Sequence, residues 1–131
     1  MRVLLDTHIM LWALVADPRL PRAAIDLIAD AGNDIHVSAA SIWEVAVKHA
    51  LARGTANDMP ISGPEALAHC DAAGYDLLSI TPAHAAAVSD LPMLHRDPFD
   101  RMLVAQALLE PMRLITHDGA VKAYDANIIL V

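Results

Sequence analysis

A chain of 131 residues predicts one domain, spanning 1–131, that can bury about two-thirds of its unfolded surface without disulfide or metal staples. Its formal charge of −7, from nine Lys and Arg against sixteen Asp and Glu, excludes the general basic patch of a polyanion binder, so any action on RNA or DNA must be local and cation-assisted. Apolar residues make up 56 % of the chain and 25 positions are alanine, which favours closely packed helices and leaves an apolar excess for a partner or a second copy.

The first strand is "RVLL" (2–5), and a helix follows over 8–16, stopping near "DPRLP". Arg2, the apolar stretch and Ala16 loosely imitate a secretory signal, but Asp6 and His8 interrupt it, and the reading is a strand and helix of a cytoplasmic protein. A second helix over 21–31 starts at Pro21 and ends before "AGND". Strand two is "IHV" (35–37), and a long helix runs from 39 to 53, ending at Gly54. A loop with Pro60, Gly63 and Pro64 introduces a helix over 64–73, which holds the single cysteine, Cys70. With no second cysteine there is no internal disulfide, as suits a reducing compartment. Strand three is "DLLSI" (76–80), "TPAHAAAVSD" is a short helix, and the helix after "DPF" runs to 110, where Pro111 ends it. "RLIT" (113–116) and "NIILV" (127–131) are strands four and five. The runs "IMLWALVA" and "RMLVAQALL" are shorter than the roughly 18 residues of a membrane span, so no membrane association is expected.

Short, apolar strands separated by helices predict a three-layer α/β/α domain with a mostly parallel sheet of about five strands. Sites in such sheets lie beyond the carboxyl ends of the strands, and the acids there stand out. Asp6 follows strand one, where Thr7 is an equally good helix cap and leaves Asp6 free. Glu44 lies two turns into the long helix; "SIWE" fits a capping box and Lys48 is its i+4 partner, yet Ala40, Val47 and Leu51 make its stripe apolar. Asp97 before Pro98 reads as an N-cap. Asp100 heads a stripe of Leu103, Val104, Ala107 and Leu108, with Arg101, Gln106 and Glu110 expected on the polar side. An acid leading a buried stripe needs a partner or a cation. Asp118 follows strand four, where Thr116 and His117 are also available. Like charges about 4 Å apart repel by roughly 4 kcal/mol at an effective dielectric near 20, so converging acids must take up protons or hold a cation. Oxygen ligands favour Mg²⁺ or Mn²⁺, and the seven histidines form no HxxxH zinc pair.

At these residues the chain resembles the PIN-domain nucleases, in particular the VapC toxins of bacterial type II toxin–antitoxin pairs. The segments are "LLDTHIMLW" (4–12), "SAASIWEVAVKHALARG" (38–54), "HRDPFDRMLVAQAL" (95–108) and "LITHD" (114–118), in the family's order and spacing. The resemblance implies a Mg²⁺- or Mn²⁺-dependent ribonuclease. Asp6 and Asp100 would be the main metal ligands, Glu44 would complete the shell or orient water, and Asp118 would bind directly or through water. Asp97 and Thr116 would support them. A homodimer and a VapB-type antitoxin partner, whose tail occupies the acidic groove, are implied as well. Of the rival readings, a receiver domain lacks its lysine after "RLIT", and an aspartyl-nucleophile phosphatase lacks its second Asp, because position 8 is His. A catalytically inactive PIN-like binding module is the remaining alternative.

Overall fold

A computed structural model describes residues 1–56 and 58–131. Its centre is a parallel sheet of β1 (Arg2–Leu5), β2 (Asp34–Ser38), β3 (Asp76–Leu78), β4 (Arg113–Thr116) and β5 (Ile129–Leu130), in the order β3-β2-β1-β4-β5. The helices are α1 (Thr7–Leu14), α2 (Arg22–Ala29), α3 (Ala39–Ala50), α4 (Gly63–Ala72), α5 (Pro82–Ala87), α6 (Pro98–Leu109) and α7 (Gly119–Lys122), with one 3₁₀ turn at Val88–Asp90.

Successive strand residues face opposite sides, and each side has its own core. Val3, Leu5, Ile35, Val37 and Ile115 pack against Ile9 and Met10 of α1, Val45 of α3, and Ala66 and Cys70 of α4. Leu4 and Leu114 meet Leu103, Val104 and Ala107 of α6 and Val121 of α7 on the other side. This is the three-layer arrangement expected from the strand pattern. The chain lays β2 and β3 on one side of β1, then β4 and β5 on the other. The direction of winding therefore reverses between β1 and β4, and parallel sheets open a crevice at such a point.

Side-chain chemistry at the helix ends explains most of the boundaries. Asp6, Ser38, Ser62, Thr81, Asp97 and Asp118 each accept a backbone N–H from the first turn of the helix that follows. Ser62 and Glu65 form a full capping box. Gly63 lets α4 approach α3, because a Cβ there would lie 2.9 Å from Ala46 Cβ.

Several local expectations give way. The cap of α1 is Asp6, whereas Thr7 lies inside the helix and donates to Ser41 Oγ at 3.0 Å. Ser41 is thus occupied, and Ser38 caps α3 in place of a "SIWE" box. α3 stops at Ala50, and Asp58 gathers the N–H groups of Arg53, Gly54 and Thr55 in the turn beyond. β3 ends at Leu78 because it is an edge strand with Leu77 half exposed.

The largest departure is α6, where Arg101 and Gln106 are buried instead of lining a polar face. Both burials are satisfied by hydrogen bonds. Arg101 donates to the carbonyls of Val88 and Pro92 and to the Tyr124 hydroxyl at 2.9–3.0 Å. Gln106 accepts from Ser38 Oγ at 2.5 Å and donates to the Ser79 carbonyl at 3.3 Å. Leu108, expected in the buried stripe, is instead exposed. Among the described residues no helix is long and apolar enough to cross a membrane.

Candidate active site

Asp6 stands where β1 ends, with its N–H still bonded to the Ile115 carbonyl of β4 at 3.0 Å. Its carboxylate is buried and divided between two tasks. Oδ1 accepts the Ile9 N–H at 2.9 Å and caps α1; Oδ2 accepts the Thr116 hydroxyl at 2.6 Å. Burial pushes its pKa above the ordinary carboxylate value, against the opposing pull of the Thr116 and Ile9 hydrogen bonds and of nearby His8. Thr116 also accepts the Asp118 N–H at 3.0 Å, so one hydroxyl ties the end of β1 to the turn after β4. Asp118 caps α7 through Oδ1 and leaves Oδ2 for the crevice.

Glu44 reaches the crevice from α3 and is 3 % exposed. Oε2 is held by Lys48, one turn on, as the i,i+4 spacing predicts. Oε1 has no hydrogen-bond partner, alone in this among the buried side-chain oxygens and nitrogens of the described residues. Burial opposes the Lys48 ammonium, but its bond to Glu44 and the charges of Glu44, Asp97 and Asp100 outweigh it and raise its pKa.

Asp100 enters from the first turn of α6, which Asp97 caps by accepting the N–H groups of Phe99 and Asp100 at 2.9 and 3.1 Å. The Asp100 carboxyl is pushed up to about 7 by burial first, then by the charges of Asp97, Asp6 and Glu44, while a bond from His95 draws it back. Three acids from different elements therefore crowd Asp100, and a carboxylate placed so is poised to take either a proton or a cation.

His95 is the member that the sequence reading left out. Its Nε2 lies 2.9 Å from Asp100 Oδ2 and 3.2 Å from Asp118 Oδ2. Ligand atoms of His95, Asp100 and Asp118 all lie within 4.8 Å of one another, a spacing one cation can bridge. The loop that delivers His95 is fixed from behind. Arg101 grips its carbonyls, and the Tyr124 hydroxyl, itself bonded to Arg101, accepts the His95 N–H at 3.0 Å. The "HRDPFD" segment held the signal, since His95 stands five residues before Asp100 across a proline-started helix. The unpartnered Glu44 oxygen and the clustered ligand atoms fit a divalent cation.

The family model described as "PIN domain" matches residues 3–127. The chain belongs to the PIN domain family. Among solved structures, this PIN domain is similar to VapBC2 from Rickettsia felis bound to a DNA fragment from their promoter, with 16 % identity, a TM-score of 0.67, and coverage of 100 % of this chain and 98 % of that one. It is also similar to FitAcB from Neisseria gonorrhoeae, at 14 % identity and a TM-score of 0.60, covering 98 % and 95 %. FitAB bound to the IR36 DNA fragment aligns at 16 % identity and a TM-score of 0.61, over 98 % and 93 %. At these identities the likeness is one of fold. No curated protein sequence matches significantly.

Proposed function

We propose that this PIN domain is a divalent-cation-dependent endoribonuclease and the toxin of a type II toxin–antitoxin pair. The observation that carries the nuclease reading is the buried, unpartnered Glu44 Oε1 beside the crowded Asp100 carboxyl. Burying unpaired carboxylate charge is costly, and it is relieved when a cation is held there. Asp6, Glu44, Asp100 and Asp118 would hold Mg²⁺ or Mn²⁺, with His95 at the same edge. When bound, such a cation neutralises a phosphodiester oxygen and acidifies water for attack. That resolves the conflict between an overall charge of −7 and a polyanionic substrate.

The protein's own groups orient the reaction. Thr116 fixes the Asp6 carboxylate, Asp97 fixes the first turn of α6 and thereby Asp100, and Lys48 holds one Glu44 oxygen so that the other faces inward. The toxin reading rests on the VapC-like motifs and on the fold likeness to VapBC2 and FitAB. An exposed apolar stripe of Trp43, Val47 and Leu51 along α3 suits a protein partner of the antitoxin kind, and exposed Leu108 and Leu109 at the end of α6 suit a homodimer contact.

Expression in a bacterial cytoplasm tests the reading. Wild-type chain should arrest growth and Asp6→Asn should not, and co-expression of the small neighbouring reading frame should restore growth. Equal growth of wild type and Asp6→Asn would favour a binding module over a toxin.

A further inference from the structure

A second feature adjoins the acids and shares Asp6 and Asp118 with them. On the Asp6–Asp118 side of the crevice lies a cleft of about 250 Å³, lined by Asp6, His8, Trp12, Arg19, His117 and Asp118. His8 and Trp12 are four residues apart on α1, so their rings share one face, with centroids 5.9 Å apart. The His117 ring stands edge-on to Trp12 at 5.7 Å. Arg19 lies with its guanidinium carbon 5.3 Å from the Trp12 ring centre. A neighbouring hollow shares His8, Trp12 and Arg19 and reaches Lys48. In a chain of charge −7, two of nine cationic side chains and a wall of three aromatic rings thus gather beside the acidic cluster.

The backbone is bent to bring Arg19 there. α1 ends in a Schellman turn, in which the Asp17 N–H bonds to the Trp12 carbonyl at 2.9 Å. The turn puts Ala16 at φ 52, a left-handed conformation usually given to glycine. The chain then folds back, and Asp17 accepts the Nε and Nη2 groups of Arg19 at 2.8–3.2 Å. This leaves Nη1 without a partner among the described residues and directed by a fixed guanidinium. His117 is anchored too, its Nδ1 donating to the Val131 carbonyl at 2.6 Å.

Aromatic faces beside a fixed guanidinium are what single-stranded nucleic acid needs: bases stack and a phosphate meets the fork of an arginine. We propose that this cleft is a nucleotide subsite for single-stranded RNA, in which a base flanking the scissile bond stacks on the exposed His8 and His117 rings, backed by the buried Trp12, and the phosphate beside it bonds Arg19. The assignment rests on the ribonuclease reading and adds where the substrate lies: its strand runs from the acids toward α1.

Trp12 reports on its own site. In this chain carrying Asp100→Asn and Trp43→Phe, Trp12 is the sole indole and the RNA stays intact. Titration with an eight-nucleotide RNA in Mg²⁺ should quench Trp12 fluorescence saturably, while an abasic oligonucleotide of equal length should not. Arg19→Gln should weaken binding about tenfold and His8→Ala several-fold, both residues being exposed and outside the core. Circular dichroism of each variant checks that the fold persists. An octanucleotide that binds by anisotropy with no quenching, and with unchanged affinity in Arg19→Gln and His8→Ala, would overturn the subsite. Metal-dependent cleavage by the wild type would then still stand, whereas its absence would overturn the ribonuclease reading itself.

Discussion

Replacing Asp100 by asparagine should make the metal-free protein more stable, even though it removes a group proposed to hold the catalytic cation. The carboxyl is pushed from 3.8 to about 7 in the fold, by burial first and then by Asp97, Asp6 and Glu44, with His95 opposing. A folded-state pKa above the unfolded one means that the ionised form destabilises the fold. That penalty is absent below about pH 4, grows as pH rises toward 7, and is complete above it. At about 1.4 kcal/mol for each tenfold change in proton affinity, the ceiling is about 4 kcal/mol. Solvent reaches part of the side chain, and Lys48 on α3 faces the same cluster, so about half of that, roughly 2 kcal/mol, is the expected gain. Asparagine retains an oxygen to accept from His95, which keeps the packing. Urea unfolding followed by circular dichroism in EDTA should give Asp100→Asn a gain of about 0.5 kcal/mol at pH 4.5 and about 2 kcal/mol at pH 8. Adding Mg²⁺ should stabilise the wild type by linkage and narrow the difference. A gain that is the same at both pH values, or a loss at pH 8, would refute the electrostatic account of this cluster.

Three further outcomes test other links. Arg101→Met should lower stability by about 2–4 kcal/mol in urea unfolding, because it strands the carbonyls of Val88 and Pro92 and frees the His95 loop; a cost under 1 kcal/mol would contradict its bracing role. Ala16→Gly should raise stability by up to about 1 kcal/mol by relieving the left-handed turn, and a loss in the same assay would argue against that backbone strain. Thr116→Val should cost about 1–3 kcal/mol and weaken Mn²⁺ binding in calorimetry, since it leaves buried Asp6 Oδ2 without its donor; unchanged Mn²⁺ affinity would show that Thr116 does not position Asp6.

The parts of this fold that obey short-range rules were legible in the sequence. Proline starts, Ser/Thr/Asp caps and apolar runs predict the helices and strands to within a few residues, and the parallel sheet follows from their alternation. The i, i+3, i+4 stripe below Asp100 is apolar in the sequence, and the structure buries its Leu103, Val104 and Ala107 and crowds the Asp100 carboxyl. The one-stripe rule failed for Arg101 and Gln106, since α6 is covered by the sheet on one side and by the 88–95 loop and α5 on others. Each polar side chain there has its own acceptors, which no periodicity encodes. His95 was missed for a related reason. It sits in a loop, and only the long-range grip of Arg101 and Tyr124 returns it to the acids. The strand order, which creates the crevice between β1 and β4, depends on pairings that the pattern of elements does not specify.

RNA cleavage by the purified chain tests the central claim most directly. Wild type should hydrolyse RNA in Mg²⁺ or Mn²⁺ and stop when EDTA is added, and Asp6→Asn and Asp100→Asn should each lose at least about a hundredfold in rate, as the metal-ligand role proposed for both implies. Metal-dependent cleavage undiminished in both variants would contradict an active site built on these acids.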